Sequence, residues 1–296
     1  MGKTKTVSLV LGSGGARGYA HIGAIEELER AGYKIVSVSG SSMGALIGAL
    51  YACGNLEAYK EWVLGLDTLD VASLVDISWD RKGGFFRGKR VLDKLYDLIG
   101  GKNIEDLPIK YTAVATDLKR NKEVWFQEGD LLQAVRASIS IPSVFSPMQI
   151  NSMLLVDGGV LNPLPVAPTM ADHTDLTVAV NLYANLPKPI IDVPKHELDK
   201  QSGIKGLIDE MIRAAQGLVP KTADVTYDLF DVMGMTLDSI QQTLISYHLG
   251  NYPPDILVNI SKDICGTFDF HKAYPTIEAG RTAAREALLG FIVDQS

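Results

Sequence analysis

The stretch Val38-Ser39-Gly40-Ser41-Ser42-Met43-Gly44-Ala45-Leu46 constrains this chain more than any other. Upstream, Ile35 to Ser39 is short, β-branched and alternating, which predicts a strand. Downstream, Ala45 to Ala52 is a compact apolar run of helix formers. A strand that feeds directly into a helix must turn sharply. The residue at such a turn is held in a strained conformation that lifts its side chain clear of the sheet. Here that residue is Ser42, with Gly40 and Gly44 placed where strand and helix approach too closely for a side chain. The start of the helix offers unpaired N–H groups and a positive dipole end to an oxygen that becomes negatively charged. The same five residues also fit an ordinary strand-to-helix turn, so a nucleophilic Ser42 requires partners elsewhere in the chain.

With 296 residues, 46% of them hydrophobic and 21% charged, the chain has the make-up of a soluble globular protein with a substantial core. A formal net charge of −7 argues against a general nucleic-acid binder and gives no broad attraction to anionic membranes. The two cysteines, Cys53 and Cys265, are far apart in sequence and read as reduced side chains in a reducing compartment. The N-terminus lacks the apolar segment of a signal peptide, and no apolar run reaches membrane-spanning length. The expectation is a cytoplasmic protein.

Val7 to Leu11 predicts a first strand, followed by the loop Gly12-Ser13-Gly14-Gly15-Ala16-Arg17-Gly18. A helix carrying Ile22, Ile25 and Leu28 comes next and stops at Gly32. Strand, helix, strand and helix in quick alternation imply a parallel sheet with right-handed crossovers. The glycine loop and Ser42 then share the carboxyl ends of neighbouring strands. A dinucleotide fingerprint fits the loop poorly, because Arg17 stands at the third glycine position and no acidic residue ends the second strand. An oxyanion hole fits better, with bare N–H groups at Gly14 and Gly15. Arg17 reads three ways: a phosphate ligand, a brace for the loop, or a solvated surface charge.

Further strands are predicted at Tyr111–Asp117, Glu123–Gln127, Leu154–Val156, Leu176–Asn181 and Asp255–Ile260. Helices are predicted at Leu56–Leu66, Val91–Ile99, Leu131–Ala137, about Ile204–Leu218, about Thr222–Leu249 and Thr276–Ile292. Residues 82–88 read as a loop with two adjacent aromatics, and residues 184–202 as a linker. Met211, Met233 and Met235 join Ile, Leu and Phe in a stripe that reads first as core packing. The other reading of that stripe is an adaptable apolar surface for lipid or a partner. Asp157-Gly158-Gly159 puts a carboxylate at a strand end before two glycines. It is either a plain turn or, if its strand lies beside the elbow strand, the acceptor of the Ser42 proton.

The glycine loop, the elbow and Asp157-Gly158-Gly159, in that order, resemble the patatin-like phospholipase family, in particular its small bacterial members. The likeness covers most of the chain and is strongest from Thr6 to Pro165. The family's glycine-rich motif matches Gly14 to Gly18, with Ser13 where its first glycine stands and Gly12 just before. Ala137-Ser138 to Pro142 also looks like a family segment. The resemblance implies a patatin-like three-layer α/β sandwich with a mainly parallel sheet and helices on both faces. It implies a single domain over residues 1–296, with residues 184–250 as a helical insertion that serves as a lid or faces a membrane or partner. It further implies a serine lipid acyl hydrolase that needs no cofactor or metal. Ser42 and Asp157 form its dyad, Gly14 and Gly15 hold the oxyanion, and the substrate is a lipid or acyl ester, met at a membrane surface only transiently. Gly12, Gly18, Gly40, Gly44, Gly158 and Gly159 support the motifs. Of the five histidines, none is expected to be catalytic, and His21 reads as a helix-surface or capping residue. Two alternatives stand beside this: a regulatory or adaptor protein acting through residues 204–249, and a Ser-His-Asp esterase using His248 or His271.

Overall fold

The computed structural model describes residues 4–66, 77–80, 84–86, 89–142, 144–195, 197 and 229–294. Its strands are β1 (Thr6–Leu11), β2 (Lys34–Ser41), β3 (Ile77–Asp80), β4 (Gly84–Phe86), β5 (Lys110–Asp117), β6 (Lys122–Phe126), β7 (Met148–Ile150), β8 (Met153–Asp157), β9 (Leu176–Ala184) and β10 (Ile256–Ser261). Its helices are α1 (Ala20–Arg30), α2 (Met43–Ala52), α3 (Leu56–Gly65), α4 (Lys89–Ile99), α5 (Leu131–Ser138), α6 (Leu229–Asn251) and α7 (Ala273–Asp294). The expected helix at 204–218 lies outside the described residues, as does Met211. Within the loop expected over residues 82–88, Gly84–Phe86 departs from expectation, since β4 pairs antiparallel with β3 through Ile77↔Phe86 and Asp80↔Gly84, and the remaining residues of that loop lie outside the described residues. The strand preference of Phe85-Phe86 outweighs the loop signal of the glycines around it.

Eight strands form one mixed sheet in the order β10-β9-β1-β2-β5-β8-β7, with β6 also on β5. The run from β10 to β5 is parallel throughout, and β6, β7 and β8 join antiparallel. β1 and β9 are buried almost along their full length, as parallel strands covered on both faces must be. The steps β1 to β2 and β2 to β5 advance in one direction, so right-handed crossovers put α1 and α2 on the same face. There α1 packs along α7, and α2 packs on β2, β1 and β5. The step β9 to β10 runs the other way and carries α6 across the opposite face. α6 rests on β9 and on the turn after β8. Among the described residues, no helix is long and apolar enough to cross a membrane.

One edge of β5 positions the site. Residues 113–117 pair with β6 on one side. Along the other side, residues 110–114 pair with β2 and residues 115–117 with β8. β2 and β8 therefore run toward each other along one edge and meet end to end. Ser41, the last residue of β2, faces Val114, and Asp157, the last of β8, faces Ala115.

The elbow is packed backbone to backbone. A Cβ on Gly44 would stand 2.0 Å from the Leu11 carbonyl oxygen, and one on Gly40 2.4 Å from the Gly44 carbonyl. Neither obstacle is the end of a movable side chain. Gly44→Ala is expected to destabilise the fold by about 3 kcal/mol or more, read by urea unfolding, and a loss below about 1 kcal/mol would contradict this packing.

Candidate active site

Ser42 stands between β2 and α2 with φ 55° and ψ −124°, a conformation rare for a residue with a side chain. Such strain costs on the order of 1–3 kcal/mol and persists only where the surroundings hold it. They do so here. The Ser42 N–H donates to Ser138 Oγ at 3.0 Å, and Ser138 Oγ donates to the Val114 carbonyl at 2.6 Å. The Ser42 carbonyl accepts from Leu46 N at 3.1 Å, in the first turn of α2. Ser138 thus ties the elbow to β5 from the end of α5. Sequence reasoning placed it in a family segment without giving it a role.

Asp157 arrives from the opposite direction along β5. Its N–H donates to the Ser140 carbonyl at 3.0 Å, and its Oδ1 accepts from Gly159 N at 2.8 Å. Oδ2 is buried and has no hydrogen-bond partner among the described residues. Burial pushes the carboxyl up to about 7, while the Ser42 side chain and the Gly159 N–H favour the charged form and limit the rise. Ser42 is 2% exposed and Asp157 3%. The strand of Asp157 is not flanked by the elbow strand. It abuts that strand's end, which brings the two residues together just as well. Gly158 lets this happen, because a Cβ there would lie 2.1 Å from the Val114 carbonyl oxygen. Gly159 stands against Ser13.

The glycine loop follows β1, whose last residue pairs with Gly40 of β2. Gly12 N donates to Val180 O at 3.2 Å and Ser13 N to Pro163 O at 2.7 Å, which pins the loop on two sides. Gly15 has φ +56°, and Ala16 N donates to Thr267 O at 2.8 Å. The N–H groups of Gly14 and Gly15 make no hydrogen bond among the described residues. Gly18 leaves room for the Met43 side chain beside the elbow.

Arg17 is neither a solvated charge nor free for a phosphate. It is 5% exposed and forms a forked ion pair with Asp238 of α6, Nη2 to Oδ2 at 2.8 Å and Nη1 to Oδ1 at 3.3 Å. Its Nε donates to the carbonyls of Lys262 and Cys265, and Tyr183 lies beneath it at 5.1 Å. Burial opposes its charge, but Asp238, with Tyr183 and Cys265, offsets this and holds the pKa above its ordinary value. These contacts tie the glycine loop to α6 and to the loop after β10.

α6 presents Asp238, Gln241, Ile245 and His248 at helical spacing toward the loops of the site. Gln241 Oε1 accepts from Ser13 Oγ at 3.1 Å, Ile245 is buried, and His248 Nε2 bonds Leu161 O at 3.1 Å. Met235 is exposed with Val232, Ile240 and Tyr247, so core packing is wrong for that part of the stripe. Asp238 and Gln241 were not found from sequence, because polar residues on an apolar-flanked helix read as its solvent face. Their 3-4-3 spacing with Ile245 and His248 was the available signal. His21 is not a surface or capping residue either. It is fully buried, bonds the Gly12 carbonyl at 2.7 Å, and burial lowers its pKa to about 4.

A family model described as patatin-like phospholipase matches residues 9–170. The chain is 36% identical over 334 residues to the uncharacterized NTE family protein Rv1063c of Mycobacterium tuberculosis, covering 97% of this chain and 92% of that one. It is 30% identical over 300 residues to the uncharacterized NTE family protein Rv2565 of the same organism, covering 96% of this chain and 46% of that one. Mouse patatin-like phospholipase domain-containing protein 6 is 33% identical over 184 residues, 59% of this chain and 13% of the relative. The glycine loop, the elbow and the Asp157 turn all lie inside the matched span, and the chain belongs to the patatin-like phospholipase family.

Proposed function

We propose that this chain is a serine lipid acyl hydrolase that cleaves fatty-acyl esters through an acyl-enzyme, with Ser42 as nucleophile and Asp157 as its base and acid. The observation that carries the reading is the end-to-end meeting of β2 and β8 on β5, which brings a strained serine to a buried carboxylate. Asp157 takes the hydroxyl proton as Ser42 Oγ attacks the ester carbonyl. The tetrahedral oxygen settles on the unpaired N–H groups of Gly14 and Gly15, with the dipole of α2 adding to them. Collapse returns the proton from Asp157 to the leaving alcohol. A water then gives its proton to Asp157 and attacks the acyl-enzyme, and the proton passes back to Ser42 as the fatty acid leaves.

A carboxylate is a weak base for a hydroxyl in water. The burial that lifts Asp157 to about 7 narrows the mismatch and supports this role near neutral pH. His21 and His248 each bond a backbone carbonyl, which speaks against an imidazole base. The exposed Val232, Met235, Ile240 and Tyr247 on α6 suit transient contact with a lipid surface. Two free cysteines suit the cytoplasm.

Fluorophosphonate labelling followed by mapping of the modified residue tests the nucleophile, and the expected site is Ser42. Ser42→Ala and Asp157→Asn are each expected to lower turnover of a short-chain nitrophenyl ester by about a thousandfold or more with the fold intact. Unchanged turnover in either variant would remove the dyad.

Asp157 must be ionised to act, so turnover is expected to rise with pH and level off above about 7. Stability runs the opposite way. The native state holds the Asp157 proton between the ordinary value of 3.8 and about 7, where the unfolded chain has lost it. The native state therefore loses stability as pH rises through that window. Asp157→Asn, which does not titrate, is expected to gain on the wild type between pH 4 and pH 8 by an amount on the order of 3 kcal/mol. Parallel unfolding curves at the two pH values would show the carboxyl to be unshifted.

A further inference from the structure

The proposed reaction makes no direct use of the most heavily bonded carboxylate near the site. Asp238 lies on α6, more than two hundred residues from the glycine loop in sequence. Its Oδ1 accepts from Arg17 Nη1 at 3.3 Å, Tyr183 OH at 3.1 Å and Thr267 Oγ1 at 3.3 Å. Its Oδ2 accepts from Arg17 Nη2 at 2.8 Å and Thr267 Oγ1 at 3.4 Å. Three separate segments, the glycine loop, β9 and the loop after β10, converge on this one group.

Two of those segments enclose the Gly14–Ala16 turn. On one side, Arg17 continues the turn, and its N–H donates to the Gly14 carbonyl at 3.2 Å. On the other, the Thr267 carbonyl accepts from Ala16 N at 2.8 Å, and a Cβ on Gly15 would meet that same oxygen at 2.3 Å. Arg17 and Thr267 are thus the walls of the turn, and Asp238 bonds both. The forked contact to Arg17 fixes the angle of the guanidinium as well as its distance. Oxyanion stabilisation depends on donors aimed before the charge develops, and a displacement of about 1 Å is enough to lose most of it.

We infer that Asp238 is a positioning residue for the oxyanion-binding turn. Through Arg17 and Thr267 it fixes the direction of the Gly14 and Gly15 N–H groups without touching substrate. This rests on the hydrolase reading above. A different role predicts the opposite sign: a latch that holds α6 closed over a finished site would, on removal, speed turnover.

The test uses the full chain with Asp238→Asn, which keeps the shape and removes the charge, Asp238→Ala, and Thr267→Val, which removes only the hydroxyl. The readouts are kcat and KM for a short-chain nitrophenyl ester, the rate of fluorophosphonate labelling at Ser42, the final labelled fraction and the melting temperature. For Asp238→Ala, kcat per labelled site is expected to fall about tenfold to a hundredfold with KM within about twofold, and the labelling rate to fall in parallel. Asp238→Asn and Thr267→Val are expected to lose less in the same pattern, and they carry the test if the alanine variant does not fold. Adding Asp238→Ala to Arg17→Met is expected to lower kcat less than it does in the wild type, since the two residues act as one unit. A lower melting temperature with unchanged kcat per labelled site would make Asp238 a purely structural residue and overturn the inference. Faster turnover would overturn it in favour of a latch. A wild type that neither turns over the ester nor labels at Ser42 would remove the hydrolase reading and this inference together. A labelled wild type beside variants labelled equally fast would remove this inference alone.

Discussion

The site depends on how one strand edge is shared. β5 gives residues 110–114 of a single edge to β2 and residues 115–117 to β8. A sheet parallel throughout would carry the elbow and the Asp157 turn out of the same face, each on its own strand. Reversing β8 turns its end toward the end of β2. The hydrogen-bond register of β5 then sets the spacing between Ser41 and Asp157 as rigidly as any contact between their side chains. The neighbouring close approaches serve this junction: Gly158 against Val114 O, Ser138 between Ser42 N and Val114 O, and Gly44 against Leu11 O.

The same junction collects groups that a stable core would avoid. Ser42 is strained, Asp157 is buried with one oxygen unbonded, and the N–H groups of Gly14 and Gly15 lack partners among the described residues. Each costs stability, and each fits the acyl transfer proposed above: a serine held at a fixed angle, a carboxyl raised toward neutrality, and donors without partners. The compensation lies around them, in the buried β1 and β9 and the tightly packed α1, α2 and α7. Arg17 and Asp238 belong to that surround, a charged pair in which the guanidinium is buried and the carboxylate accepts from three side chains.

Much of this was legible in the chain. Strands at 7–11, 35–39, 111–117 and 176–181 read correctly because each is rich in β-branched and apolar residues, as strands covered on both faces require. Ser42 stands at the strand-to-helix turn and Asp157 at the strand end that their motifs encode, because both motifs express local backbone demands. The misreadings share a cause. His21 and Met235 were judged by residue type, a histidine with open surface roles and a methionine in the core. Their true setting depends on the fold around them, the Gly12 carbonyl and a closed core for His21 and the outward face of α6 for Met235. Asp238 and Gln241 were missed for the same reason, since a helix shows its periodicity but not which face meets the site.

The amino-acid order alone determined the local elements of the candidate site: a serine at a forced turn, a glycine loop at a strand end, and an aspartate before two glycines. These follow from short-range sterics and hydrogen bonding, which act within a few residues and leave marks in the sequence. Only the tertiary structure decided that β8 enters antiparallel on the β2 side of β5, and that α6 lays Asp238 against Arg17. Those pairings join segments distant in sequence, Ala115 with Asp157 and Arg17 with Asp238. They are chosen by the packing of the whole sheet and its covering helices, a competition among all the segments at once that no single stretch of sequence records.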